Sequence, residues 1–203
     1  MELHVGGGIQ RGGFLGLALV LMILLLPELA LSGYFTIGAL LASPAVTPRH
    51  ADVVIVLGGG DGPRYVRGRE LILAGYSKRL LLINPVVSEL EDARRLRAVE
   101  LRIDNLPGNS WQEAQAGRAW MEAYGWRSAL IVSDPPHLLR VCYAWASIFR
   151  TSALTFFLVA SDPPWWSAWR WWRDPQSEDF VSSEVLKLGY YIVRYRFGFG
   201  AEE

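Results

Sequence analysis

Cysteine is almost absent from this chain: Cys142 is alone in 203 residues. No intrachain disulfide can form, and the CxxC and HExxH spacings that would announce a zinc site are missing as well. An excess of one charge is also lacking. The 20 basic residues balance 20 acidic ones, which argues against a nucleic-acid partner, since that usually needs a basic face. Lysine is scarce, with Lys78 and Lys187 beside 18 arginines. Arginine is the better bidentate ligand for carboxylate and phosphate, although codon usage in a GC-rich genome produces the same skew. Histidine occurs three times, and apart from His50, near a proline pair, only His137 falls beyond the N-terminal fifth of the chain.

One long apolar run is present, from Phe14 to Ser43, after a short Gly-rich segment, residues 1–13. As a helix it would be about 45 Å long, more than the roughly 30 Å hydrocarbon core but too short for two spans and a turn. Glu28, after Pro27, is the objection, since a central acid costs about 2.5–3.5 kcal/mol. The many Leu, Ile, Val and Phe residues return about 0.3–0.6 kcal/mol each and outweigh it. A cleaved signal peptide has a shorter apolar core, so the run reads as a transmembrane anchor. Residues 44–50, SPAVTPRH from Ser43, form a stiff proline-containing linker, and residues 51–203 a separate domain.

The domain alternates apolar runs with helical patterns. Strands are expected at Asp52–Leu57, Arg79–Asn84, Leu101–Leu106, Ala129–Val132 and Leu154–Ala160. Between them lie a helix over Pro63–Tyr76, one opened by a Ser88/Glu91 capping box and running through Glu100, and one opened by Asn109, Ser110 and Glu113. Phe180–Phe197 is expected to close the chain as a helix in which Glu184 and Lys187 pair. Trp165, Trp169 and Trp172 fall at helical spacing, either as core packing or, with Arg170 and Arg173, as a lipid-interface segment. This β/α alternation implies a doubly wound parallel sheet of five strands, with ligands bound beyond the strands' carboxyl ends at the switch point.

Several motifs converge on that edge. Gly58, Gly59, Gly60 and Asp61 follow the first strand, in a turn that admits a phosphate or simply reverses the chain; GGG matches neither a P-loop nor GxGxxG. Arg64 follows on the first helix. The stretch SALIVSDPPHLLR, Ser128–Arg140, reads as a buried strand running into a helix whose cap is supplied by Ser133 and Asp134. His137 and Arg140 then share a face in the first turn, where free N–H groups favour an anion. SDPP recurs at residues 161–164, as shared capping grammar or as a second helix end facing the same crevice. Asp61, Asp134 and Asp162 offer carboxylates for magnesium, but no spacing compels a metal site.

Asp52 with the VLGGG turn, Arg64 with Leu71 and Gly75, Asn109-Ser110-x-x-Glu113-Ala, VSDPPHLLR and Glu184-x-x-Lys187 together resemble the ElyC/SanA/YdcF family of bacterial envelope proteins, over about residues 51–196. Ser110 stands where that family usually has Thr, and Asn84-Pro85 replaces its Ser-Gly-Gly turn. The resemblance implies a Rossmann-like three-layer α/β/α sandwich with a mainly parallel sheet, tethered to the inner (plasma) membrane, and a link to peptidoglycan and cell-wall metabolism. It brings neither an established reaction nor a cofactor. Arg11 before the apolar run suggests the N-terminus inside and the domain on the periplasmic side, with Arg49 beyond the other end opposing it. The leading expectation is an anchored hydrolase or transferase acting on a phosphorylated envelope metabolite such as a polyprenyl-phosphate carrier. Gly58–Gly60, Asp61, Asn109, Ser110, Ser133 and Asp134 would line the ligand, Arg64 and Arg140 neutralise its charge, His137 serve as acid or base, and Glu113 orient His137 or cap its helix. The alternative is a non-enzymatic sensor or assembly factor that binds a nucleotide-like or SAM-like ligand in the same crevice.

Overall fold

The computed structural model describes residues 9–59, 62–97 and 99–196. Among them, helix α1 spans Ile9–Ala42 and continues through Pro27. Its Leu15–Ala42 portion holds an 18-residue stretch of mean hydropathy 2.3 and is long and apolar enough to cross a membrane. The chain divides into two compact units, Met1–Ile37 and Gly38–Glu203. The second therefore begins earlier than the linker, with the last turn of α1.

In the second unit a five-stranded sheet is parallel throughout, in the order β3-β2-β1-β4-β5. The strands are β1 (Val53–Val56), β2 (Arg79–Ile83), β3 (Glu100–Asp104), β4 (Ser128–Ser133) and β5 (Thr155–Ala160). Ile55 of the central strand pairs in register with Leu81 of β2 and Ile131 of β4. Because strand side chains alternate, β1 feeds two cores at once. Val53, Ile55 and Leu57 face α4 (Ser110–Tyr124), α5 (Leu138–Phe149) and α6 (Pro175–Arg196), with Trp145 fully buried between them. Val54 and Val56 face α2 (Pro63–Leu73) and the end of α3 (Val87–Ala93). This is a Rossmann-like three-layer sandwich. Helix α2 lies so close to the sheet that a Cβ on Gly68 would stand 2.3 Å from Val56 Cγ2.

The linker is not free. Val46 N–H donates to Leu158 O of edge strand β5 at 2.9 Å, and the Arg49 guanidinium stacks 4.4 Å from the Phe157 ring. An edge strand covered in this way offers fewer open groups to another chain.

Four expected elements differ. α3 ends at Ala93, well short of Glu100, because residue 100 already opens β3; its start is held by Glu89 Oε2 accepting from Val86 N–H, not by Ser88 and Glu91. The N-cap of α4 is Asn109, whose Oδ1 accepts from Trp111 N–H and Gln112 N–H. That shift takes Glu113 out of the capping position. The second SDPP opens no helix: residues 161–170 run as turns into a 3₁₀ turn at Trp171–Arg173, so Trp165, Trp169 and Trp172 share no helical face. The closing helix starts earlier than expected, at Pro175, where proline suits the first helical position.

Candidate active site

The order β3-β2-β1-β4-β5 reverses between β1 and β4, and a crevice of about 620 Å³ opens at their carboxyl ends. Gly58, Gly59, Arg64, Asn109, Ser110, Glu113, Ser133, His137 and Arg140 line it. Gly60 and Asp61 lie outside the described residues. Asp134 is set behind the wall instead, where it accepts from Arg64 Nε at 2.8 Å and from Ser161 Oγ at 2.5 Å. The two SDPP motifs thus meet through a hydrogen bond between Asp134 and Ser161.

The turn after β4 departs from the expected anion-binding helix end. Pro135 and Pro136 carry no N–H, and the His137 N–H is spent on Asp134 O at 3.0 Å. The turn is 3₁₀, α5 begins only at Leu138, and no side chain caps it. A helix terminus binds anions through free N–H groups, so polar side chains must do that work here. One is available: the Ser133 hydroxyl is buried at the crevice wall and meets no hydrogen-bond partner among the described residues.

His137 is organised by Glu184, a residue on α6 that is fully buried. His137 Nδ1 lies 3.0 Å from Glu184 Oε1 and 3.1 Å from Arg140 Nη2. Arg140 grips the same carboxylate from two sides, Nε to Oε2 at 2.6 Å and Nη2 to Oε1 at 3.1 Å, and Lys187 Nζ adds a third contact at 3.1 Å. An Nδ1–H donated to this carboxylate leaves Nε2 with its lone pair and no partner among the described residues, the arrangement of a positioned base. Burial pushes the imidazole pKa below its ordinary value, against the hydrogen bond and charge of Glu184 that raise it. Burial would push Glu184 up, but hydrogen bonds from His137 and Arg140 outweigh it and hold the carboxyl well below the usual range.

Glu113 does not orient His137. Displaced from the capping position, its carboxyl is buried in the crevice, where the Ser110 hydroxyl and the Gly58 backbone are close enough to influence its charge. Ser110 Oγ accepts from Arg140 Nη1 at 2.7 Å. Burial raises the Glu113 pKa against the charges of Arg64 and Arg140 and the polar groups of Ser110 and Gly58, which lower it. A connected chain of contacts runs from Ser110 through Arg140 and Glu184 to His137. Glu113 lines the same crevice, which thus holds one acid pushed up and one imidazole pushed down.

No protein-family model matches the chain, and no curated protein matches it. Among solved structures, the native structure of mycobacterial Rv1454c complexed with NADPH is similar over 75% of this chain and 50% of that one, at 16% identity and a TM-score of 0.32. The chain spans half the length of that protein. The sheet topology itself, not this likeness, defines the fold class.

Neither arginine is an open cation. Arg64 donates to Asp134 and to the Gly58 carbonyl, and Arg140 is paired with Glu184. Lys187, half exposed at the crevice, is the more accessible charge. Among the described residues no three His, Cys, Asp or Glu side chains gather as metal ligands. Glu184 and Lys187 pair as their spacing predicts, yet their place at the centre of the site was missed. The signal was helical spacing, which puts Glu184 in line with Val181 and Tyr191 on the face that α6 buries. Asn84 was missed too. It adopts φ 48° after β2, a left-handed conformation that asparagine tolerates, and its Nδ2 ties the loop to Pro107 O at 2.5 Å.

Proposed function

We propose that the chain is a membrane-anchored envelope enzyme, a hydrolase or transferase acting on a phosphate or pyrophosphate group. The observation that carries this reading is the buried Glu184–His137 pair facing Glu113 across the switch-point crevice. In this mechanism His137 Nε2 takes the proton of an attacking water or hydroxyl as its oxygen bonds to phosphorus. The bond from phosphorus to the leaving oxygen breaks, and protonated Glu113 supplies that oxygen with a proton. Ser133 Oγ and Lys187 Nζ stabilise the phosphoryl oxygens, and Glu184 keeps the imidazole in the right tautomer.

The resemblance to the ElyC/SanA/YdcF family supports a substrate from cell-wall metabolism, such as a polyprenyl-phosphate carrier. It also supports a single-pass location in the bacterial inner membrane, and Arg11 before the apolar run supports a domain on the periplasmic side. Apolar residues at and next to the crevice lining agree with a ligand that has an apolar part: Val86, which lines it, is 53% exposed, and Val87 and Leu106, chain neighbours of the lining residues Val86 and Pro107, are 73% and 91% exposed. Their loops are tied by the Asn84–Pro107 bond.

One observation favours a second reading. Both crevice arginines already hold carboxylates, and a charge-balanced crevice suits a non-enzymatic protein that binds a nucleotide-like or SAM-like ligand. Phosphate release from polyprenyl pyrophosphate and from a nucleoside diphosphate by the full chain in detergent separates the two. The enzyme reading expects turnover that His137→Gln reduces by about 10²–10⁴. No turnover, with a nucleotide raising the unfolding temperature of wild type and His137→Gln alike, would leave the binding protein.

A further inference from the structure

The aromatic segment after β5 is not absorbed by the crevice chemistry. Between Pro163 and Arg173 it carries Trp165, Trp166, Trp169, Trp171, Trp172, Arg170 and Arg173, with no acidic residue. It is fastened from behind. Trp165 stacks on Phe180 with ring centroids 4.8 Å apart, its carbonyl accepts from Ser177 Oγ at 2.8 Å, and Trp171 is buried. What it shows to solvent is Trp169, 64% exposed, with exposed Arg170 and Arg173. Neither guanidinium reaches a carboxylate among the described residues.

The same segment packs on Gly38. A Cβ there would stand 2.6 Å from both Ala168 O and Trp171 Cδ1. Gly38 is itself part of the Leu15–Ala42 stretch that is long and apolar enough to cross a membrane. The neighbours of Trp169 in the loop therefore touch a residue of the candidate span. Tryptophan prefers the depth of lipid headgroups, where its ring is half apolar and its N–H is wet. Arginine pairs with phosphate in the fork geometry that lysine lacks.

We propose that Trp169, Arg170 and Arg173 form a fixed seat on the headgroup layer of a phosphate-bearing, anionic membrane. The loop is prebuilt for this contact: Trp171 and Trp165 hold it against the domain, and the two cations are left for lipid phosphates.

The test uses the full chain in vesicles of phosphatidylcholine with phosphatidylglycerol. A nitroxide is placed at Trp169→Cys in a Cys142→Ala background, with Glu122→Cys on the exposed surface of α4 as the aqueous reference. Expected is a label at 169 accessible to oxygen and protected from a water-soluble nickel relaxant, and a label at 122 showing the reverse. Adding Arg170→Gln and Arg173→Gln shifts the 169 label toward the nickel relaxant in the anionic vesicles and leaves it unshifted in pure phosphatidylcholine. A second readout avoids the label. Fluorescence lost between wild type and Trp169→Phe is quenched when the lipids are brominated near the headgroup. A label at 169 as aqueous as that at 122, or a Trp169 component that brominated lipid leaves bright, overturns the seat. Arginine variants without effect in anionic vesicles overturn the role of the cations.

Discussion

His137 carries the most testable weight of any residue, because its ring nitrogen, its carboxylate partner and its place in the crevice all point to proton transfer. His137→Ala is expected to abolish activity, with His137→Gln restoring little, while thermal unfolding changes slightly. Full rescue by Gln would make the residue a hydrogen-bonding contact instead. Glu184 differs, because removing its charge strands Arg140 in the interior. Glu184→Gln is expected to lower stability by about 3–5 kcal/mol in urea unfolding, the range for breaking one side of a buried pair. Its depressed pKa means that this stabilisation is complete above the ordinary carboxyl value of 4.5 and is lost as pH falls toward the folded-state value. Glu113 has the opposite sign. Its pKa is raised in the fold, so Glu113→Gln should raise the unfolding temperature at neutral pH, with the gain vanishing below pH 4.5, where the acid is protonated folded or unfolded. A Gln variant less stable than wild type at neutral pH would show that Arg64 and Arg140 need the Glu113 charge.

Among the elements, α4 shows how small a shift decides which side chains enter the crevice. Asn109 and Ser110 are both good capping residues, and local sequence offers no reason to choose between them. The structure caps with Asn109, so Glu113 moves from the third to the fourth helical position, a rotation of about 100° that turns it to the buried face. Proline decides the turn after β4 in the same way: Pro135-Pro136 reads as a helix start, yet it removes the N–H donors that would bind an anion. The close approach of α2 to the sheet supports a further prediction. Gly68→Ala forces a methyl against Val56 Cγ2 and is expected to cost about 1–3 kcal/mol through overpacking. A circular-dichroism melt unchanged by this substitution would show that α2 can slide outward.

For the whole molecule, the boundary between the two compact units falls inside α1 and not at the proline linker. Leu41 is 1% exposed, Val46 is bonded to β5, and Arg49 stacks on Phe157. A chain starting at Gly38 is therefore expected to be more stable in urea than one starting at His50. The difference should be at least the roughly 1.5–3 kcal/mol of one fully buried leucine. Equal midpoints would return the boundary to the linker.

The sequence alone determined the membrane-length apolar helix, the β/α alternation, all five strands to within a residue or two, and the edge of the sheet where chemistry-bearing residues collect. These follow from local patterns: apolar runs, Gly and Pro punctuation, and strand periodicity. Tertiary structure decided which polar groups meet. Glu184 lies 44 residues beyond Arg140 and reaches it only when α6 packs on α5. Asp134 is held away from the crevice by Arg64 and Ser161, 70 and 27 residues away. Charged and hydroxyl side chains find partners by proximity in the fold, and no period or spacing encodes that proximity.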